Sequence, residues 1–234
     1  ECPKSDRWAF HAAGRGRMGQ SLLSGDLTYQ CLGPGPANTN TTRYRLRFTL
    51  YRDCKGIPAP NSVTVLYRST QCGVNSSITL NPIPGTGTDI TPLIACAGYV
   101  SSCPGGGANY GIQRWIYEAT VSLPAGCGTD WVFYNTDCCR SADIDNITNP
   151  GGTGSAFYAR LDNTVTPCNS SPQFTNLPQM FACVNNPTLL NLGIIDPDGD
   201  SLVIDLTTCR DDGAGAPNIS VTYAAPYGGN NPFP

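Results

Sequence analysis

Three aspartates, Asp196, Asp198 and Asp200, alternate through a short Asp-Pro-Asp-Gly-Asp stretch. Their carboxylates can converge on one hard cation, and Ca²⁺ prefers several oxygen ligands in a loose geometry. The stretch is not an EF-hand loop, because no Glu stands at the twelfth position. The sequence therefore predicts a Ca²⁺ site here, and the alternative is an Asp/Gly turn that binds no metal.

Catalytic chemistry has little support in the sequence. His11 is the only histidine, so any Ser-His-Asp or Cys-His arrangement would depend on it. No motif selects a pair of carboxylates of the glycosidase type from the 17 acidic residues. We therefore expect a protein that is not an enzyme.

The cysteine content indicates the compartment. The 12 cysteines are even in number and are not grouped into paired CxxC knuckles. With a single histidine, this pattern argues against structural zinc and favours a disulfide framework in an oxidising, extracellular setting. The cysteines are Cys2, Cys31, Cys54, Cys72, Cys96, Cys103, Cys127, Cys138, Cys139, Cys168, Cys183 and Cys209.

Connectivity cannot be derived from sequence alone, so the pairings are hypotheses. A bond between the adjacent Cys138 and Cys139 would be strained, and we expect each to bind a different partner. The last expected pair, Cys2–Cys209, can form within or between subunits. The expected pairs are Cys127–Cys138, Cys31–Cys139, Cys54–Cys72, Cys96–Cys103, Cys168–Cys183 and Cys2–Cys209.

The elements that position these residues are predicted to be β-strands. Charged residues make up only 13% of the chain, 26 Gly and 20 Pro disfavour long helices, and only two Lys and two Glu occur. Residues 43–54 alternate between an arginine-bearing face and an apolar face formed by Tyr44, Leu46, Phe48 and Leu50. Residues 113–123 alternate in the same way, and shorter strands are predicted at 26–31, 62–67, 76–80, 130–134, 156–161 and 203–206.

The chain divides into three predicted parts. Residues 1–24 form an N-terminal arm, in which Trp8 and Phe10 lie in a possible donor strand. Residues 25–165 form a disulfide-rich β-sandwich. Residues 166–234 form a unit shorter than the ~100 residues of an Ig-type sandwich, and we expect it to lack its last strand or strands.

Two classes of partner are disfavoured. The net charge is −3 without a basic block, which argues against nucleic-acid binding. No apolar run approaches membrane-spanning length. We expect a secreted protein, extracellular or at the cell surface.

Three stretches carry a resemblance to a known family. They are Tyr51-Arg52-Asp53-Cys54 with the following Gly/Pro turn, Cys138-Cys139-Arg140, and Pro167-Cys168-Asn169 with the following Ser171-Pro172. Together they resemble large secreted surface proteins of Bacteroidota, of the gliding-motility-associated or PKD-domain type. That resemblance implies an adhesive or structural role and an Ig-like or cadherin-like C-terminal module. In cadherin-like modules a similar Asp motif binds Ca²⁺ near a domain junction, which implies Asn169 as a further ligand and Asp162 as another candidate.

Surface modification is a further expectation. N-glycosylation sequons occur at Asn40, Asn75, Asn146, Asn169 and Asn218. Asp200-Ser201-Leu202 resembles the O-glycosylation pattern of the same phylum, with Ser201 as the acceptor. Either modification marks exposed loops.

The favoured hypothesis for function is an extracellular structural or adhesive protein that associates with itself or with other surface proteins. A short second unit leaves an open sheet edge, and residues 4–13 of a neighbour can supply the missing strand, giving a head-to-tail filament. The alternative is a calcium-assisted carbohydrate-binding module in which Tyr110, Trp131 or Tyr227 stacks on sugar rings. A secreted hydrolase is a third hypothesis.

Overall fold

A computed structural model describes residues 22–91, 99–103, 106–142, 144–166, 168–178, 191, 193–211 and 219–232. The described chain is almost entirely β, as the composition predicts. Residues Pro150–Gly152 form a single 3₁₀ turn. The strands are β1 Leu22–Pro34, β2 Thr41–Asp53, β3 Val63–Ser69, β4 Val74–Pro82, β5 Thr88–Asp89, β6 Ile112–Pro124, β7 Trp131–Asp137, β8 Ser155–Leu161, β9 Gln173–Phe174 and β10 Ile194–Ile195.

The first eight strands form two antiparallel layers that share β4. In order, the path runs β1-β2-β6-β4-β3-β7-β8, and β5 pairs with β6. The body of β4 pairs with β3, while Asn81 and Pro82 at its end pair with β6. Strand β4 therefore turns the path from the first layer (β1, β2, β6) into the second (β3, β7, β8), which gives a sandwich with a partly closed, barrel-like side.

Alternation in β2 and β6 builds the core between the layers. Tyr44, Leu46, Phe48 and Leu50 are all buried, and Arg43 on the opposite face is exposed. On β6, Tyr117, Val121 and Leu123 are buried, and Trp115 and Ala119 pack against the same cluster. The strands predicted in residues 26–161 are confirmed. Their period-2 patterns specify which face of each strand is buried.

The two outer strands, β1 and β8, meet at the open side of the sandwich. The Tyr29 hydroxyl donates to the Arg160 carbonyl at 2.9 Å, and the Phe48 and Phe157 rings lie edge to face, 5.4 Å apart. A side chain at Gly25 would place its Cβ 2.7 Å from the Thr49 carbonyl and 3.3 Å from the Phe157 ring. Glycine is therefore required for this close approach.

The other edge of β1 is covered by the segment that follows the sandwich. The Ser171 amide donates to the Tyr29 carbonyl at 2.9 Å, and the Ser170 hydroxyl accepts from the Cys31 amide at 3.2 Å. The Cys31–Cys168 disulfide lies beside these contacts. Residues 168–171 thus occupy the position where a further strand would otherwise pair.

Beyond residue 166 the described chain holds little regular structure. Strands β9 and β10 pair with each other over two residues, and isolated bridges join Ile147 to Tyr223 and Arg210 to Ser220. The predicted strand at 203–206 is wrong for the described chain, because residues 201–209 belong to no strand. No described strand lies beside them to complete a ladder. The Ig-like or cadherin-like fold of this unit stays a prediction.

Candidate functional site

Disulfides join the turns and edges of the sandwich, but not in the expected pairs. Eight cysteines form four bonds in the described chain: Cys31–Cys168, Cys54–Cys103, Cys72–Cys127 and Cys138–Cys139. The expected pairs Cys127–Cys138, Cys31–Cys139, Cys54–Cys72 and Cys96–Cys103 are wrong. Cys168 binds Cys31 and not Cys183. These bonds fit a protein of an oxidising compartment outside the cytoplasm.

The reasons for the actual pairing lie in strand topology. The β3–β4 turn lies against the β6–β7 turn, because the Asp130 carboxylate accepts from both hydroxyls of Ser69 and Thr70 and from the Thr70 amide. These donors hold the pKa of Asp130 low, at about 2. Cys72 and Cys127, one in each turn, are thereby brought together.

The expectation that Cys138 and Cys139 bind different partners is wrong. The Cα atoms of Cys138 and Cys139 lie 3.1 Å apart across a cis peptide, and the two residues bond to each other. Cys209 is exposed and bonds to no described cysteine. Its expected partner Cys2, together with Cys96, Cys183, His11, Trp8 and Phe10, lies outside the described residues.

The three aspartates lie in a tight turn after β10. The Asp196 carboxylate accepts from the amides of Asp198 at 2.8 Å and Asp200 at 3.2 Å. The Asp198 carboxylate accepts from the Ser170 amide at 2.6 Å, which brings the turn next to Asn169. The Asn169 side-chain oxygen is buried and has no hydrogen-bond partner.

Among the described residues, no group of three His, Cys, Asp or Glu side chains is placed to hold a metal ion. Two of the predicted Ca²⁺ ligands, Asp196 and Asp198, use a carboxylate oxygen for backbone amides. Ca²⁺ binding at Asp196, Asp198, Asp200 and Asn169 stays a prediction. Asp162, the further candidate, accepts from the amide and hydroxyl of Thr164 at the end of β8.

A run of apolar residues lies exposed directly after the aspartate turn. Val203 is 95% exposed, Ile204 63% and Leu206 56%. Neighbouring Asp198, Asp200 and Asp205 are exposed as well. Residues 202–206 therefore carry strand-forming side chains but belong to no strand in the described chain. We call this segment the acceptor run.

A pocket on the outer face of the first layer was missed by the sequence analysis. It has a volume of about 100 Å³ and lies between β1, β2 and β6 on one side and residues 173–177 on the other. The strand wall contributes Asp26, Thr28, Arg47, Thr49, Tyr51, Arg114 and Ile116; the covering segment contributes Gln173, Phe174, Thr175, Asn176 and Leu177. We call it the outer-face pocket.

The electrostatics of this pocket centre on Asp26. Burial raises the pKa of Asp26 to about 6, while the Thr49 hydroxyl and the charges of Arg47 and Arg114 oppose the rise. Arg47 is engaged with the Glu118 carboxylate at 2.6 Å. The Arg114 side chain forms no hydrogen bond or ion pair with the described residues, and its charge acts on Asp26 and Tyr51.

The sequence contained one signal for this pocket. Charged and hydroxyl side chains recur on the outer faces of β1, β2 and β6. The sequence could not show that residues 173–177 cover this face. Residues 173–177 reach this face because Cys168, Ser170 and Ser171 bind the edge of β1.

The side chains expected to stack on sugars are not placed as platforms. Trp131 is fully buried in the core. Tyr110 is partly buried, and Asp53 accepts its hydroxyl hydrogen bond, so its pKa lies above the usual range. Tyr227 is half-buried in a turn, where its backbone amide donates to the Ala224 carbonyl at 2.9 Å.

The glycosylation candidates separate by exposure. Asn40, Asn75 and Ser201 are exposed. The side-chain amide of Asn146 donates to the Pro232 carbonyl at 2.7 Å, and Asn169 is partly buried. Asn218 lies outside the described residues. Modification itself stays a prediction at all of these positions.

Comparison with protein-family models, curated proteins and solved structures finds no match to this chain. The resemblance to secreted Bacteroidota surface proteins therefore stays a prediction. In the part of the chain that the structure describes, no helix is long and apolar enough to cross a membrane.

Proposed function

We propose that this chain is an extracellular structural or adhesive protein whose copies join head to tail by strand donation. The acceptor run carries the proposal, because three strand-forming apolar side chains are more than half exposed there beside no described strand. Alternation places Leu202, Ile204 and Leu206 on one face of an extended chain. An added strand would satisfy the backbone groups of the run and place its own apolar side chains beside that face.

The occupant we propose is residues 4–13 of a second copy. This segment has its own alternation, with Trp8 and Phe10 on one parity and Arg7 and His11 on the other. Residues 4–13 carry two basic side chains, Lys4 and Arg7, and one acidic side chain, whereas residues 194–206 carry four aspartates and no basic residue. The two segments are therefore complementary in both charge and apolar pattern.

Cysteine placement fits the same pairing. Cys209 is exposed three residues after the acceptor run, and Cys2 lies two residues before the proposed donor strand. A Cys2–Cys209 bond between copies would lock each donor strand in place. Because donor and acceptor are different surfaces, the contact is heterologous and each copy offers a free end for growth.

The proposal is tested by negative-stain microscopy of the full chain and of a chain lacking residues 1–13. Filaments or ladders that disappear on truncation support strand donation. Discrete monomers in both samples overturn it. Non-reducing electrophoresis of Cys2→Ser tests the covalent link separately, and an unchanged ladder rules that link out.

Calcium binding at the aspartate turn is a secondary proposal, supported by the buried, unpartnered oxygen of Asn169 next to that turn. It is tested by calorimetric titration of the full chain with CaCl₂. Binding that Asp200→Asn removes supports it, and the absence of heat in the unaltered chain overturns it.

A further inference from the structure

We propose that the outer-face pocket binds a single pyranose ring at the end of a glycan, without calcium. This site is separate from the acceptor run and does not depend on strand donation. It also differs from the sugar platforms expected at Tyr110, Trp131 and Tyr227.

The pocket contains both kinds of wall that a sugar requires. Sugars present hydroxyl groups around the ring edge and C–H groups on its faces. Phe174 and Leu177 are 49% and 46% exposed at the pocket and offer apolar surface for a C–H face. Asp26, Arg114 and the hydroxyls of Thr28 and Thr49 supply polar groups on the opposite wall.

The pocket offers both an acceptor and a donor for neighbouring hydroxyl groups of a sugar. The Asp26 carboxylate accepts from one hydroxyl, and the free Arg114 guanidinium donates to its neighbour. Arg47 remains paired with Glu118 and contributes positive charge without needing the ligand. A few convergent polar groups in a concave, partly apolar site are what small-molecule recognition requires.

The dimensions limit the ligand to one ring. The pocket is a small, open cleft of about 100 Å³, so it admits one ring and only part of a larger ligand. The opening toward solvent leaves space for the remaining sugars of a chain. A terminal ring at a glycan end satisfies both conditions.

A small anion is the competing ligand, because two arginines line the pocket. Asp26 opposes it, since an ionised carboxylate between those arginines repels a second negative charge. Acetate and inorganic phosphate therefore serve as the discriminating probes.

The test uses the full chain in three steps. A glycan array identifies terminal sugars that bind in the presence of EDTA. Calorimetric titration with the methyl glycoside of each hit, and with sodium acetate and phosphate, then gives the Kd. The same titrations are repeated on Asp26→Asn, Arg114→Ala and Phe174→Ala, with Arg43→Ala as the control on the same strand face outside the pocket.

We expect a methyl glycoside to bind, with Kd weakened about tenfold or more by each pocket variant, as for lost hydrogen bonds to charged groups or a lost ring contact. Arg43→Ala should leave Kd unchanged within about twofold, because its side chain lies outside the pocket lining and donates to the carbonyls of Pro34 and Leu32. Phe174→Ala alters an exposed ring, so it keeps the test informative if a buried variant fails to fold.

Three results would overturn the proposal. They are the absence of any array hit, sugar binding that the three pocket variants leave unchanged, and Arg114-dependent binding of acetate or phosphate without sugar binding. Loss of sugar binding in EDTA would also overturn it, because the proposed site uses no calcium.

Discussion

Ser171 pairs with Tyr29 as a strand residue would. The Ser171 hydroxyl accepts from the Tyr29 amide at 2.9 Å, while both its own amide and its hydroxyl donate to the Tyr29 carbonyl. Strand β1 therefore has partners on both edges at this point. The covering segment that forms one wall of the outer-face pocket begins from this contact.

Replacing Ser171 should destabilise the sandwich through an unpaired amide. Ser171→Ala leaves the buried Tyr29 amide without its hydroxyl acceptor, which costs about 1–3 kcal/mol of unfolding free energy. Urea denaturation measures the loss. The matched control, Ser76→Ala, alters an exposed serine on β4 and should change stability by less than about 0.5 kcal/mol. Equal effects of the two variants would contradict the role given to Ser171.

The Cys31–Cys168 bond should contribute more stability than the Cys138–Cys139 bond. It closes a loop with a sequence separation of 137, whereas the second bond joins neighbours. In the chain-entropy model a loop of that length contributes about 5 kcal/mol, and measured losses are typically about 2–5 kcal/mol. We expect the double serine variant at 31 and 168 to lose stability in that range in guanidinium denaturation.

The serine pair at 138 and 139 is the matched control for the loop-length argument. It removes the same number of sulfur atoms but almost no loop constraint, and we expect a clearly smaller loss of unfolding free energy. A larger loss in this control than in the 31/168 variant would show that loop closure does not dominate.

Asp26 should make stability depend on pH. Its pKa is about 6 in the folded chain and 3.8 when unperturbed, so the folded chain holds its proton to higher pH. Its burial therefore costs nothing below about pH 4, and stability falls as pH rises through about 6. Asp26→Asn removes the cost, which at 1.36 kcal/mol per pKa unit amounts to about 2–3 kcal/mol at pH 7.5.

The expected signature is a variant more stable than the original chain at pH 7.5 and equal to it near pH 4. Thermal unfolding across this pH range measures the difference. Ser76→Ala, at an exposed position without a titrating side chain, is the control and should show no such trend. A variant that is less stable at pH 7.5 would contradict the desolvation argument.

The sandwich was predictable because its signal is local. Tyr44, Leu46 and Phe48 alternate with arginines, and a period of two specifies which face is buried. The same logic failed at residues 203–206, where the pattern predicts a strand but the described chain supplies no neighbour to complete a ladder. Strand formation depends on a partner as well as on the pattern.

The disulfide pairs and the outer-face pocket were beyond sequence reasoning because both depend on tertiary contacts. Cys72 and Cys127 lie in two turns that Asp130 joins. Asp130 is at least 59 residues away in sequence from its partners Ser69, Thr70 and Gln71. Asp26 and Phe174 are brought to one pocket by the contact of Ser171 with β1. Nothing local in either segment predicts these encounters.

Head-to-tail assembly requires that the acceptor run of one copy receives residues 4–13 of another. Its most direct test mixes two defective chains. One lacks residues 1–13 and keeps the acceptor run; the other keeps residues 1–13 and carries Ile204→Asp and Leu206→Asp. A control for the second chain carries Val165→Asp, which alters a side chain 84% exposed outside the run.

Light scattering after size-exclusion chromatography measures the mass of each sample and of the mixtures. We expect that each defective chain alone is a monomer, that the pair forms a one-to-one heterodimer, and that the Val165→Asp chain still forms long assemblies. Monomers in the mixture, or long assemblies from the chain that lacks residues 1–13, would contradict strand donation.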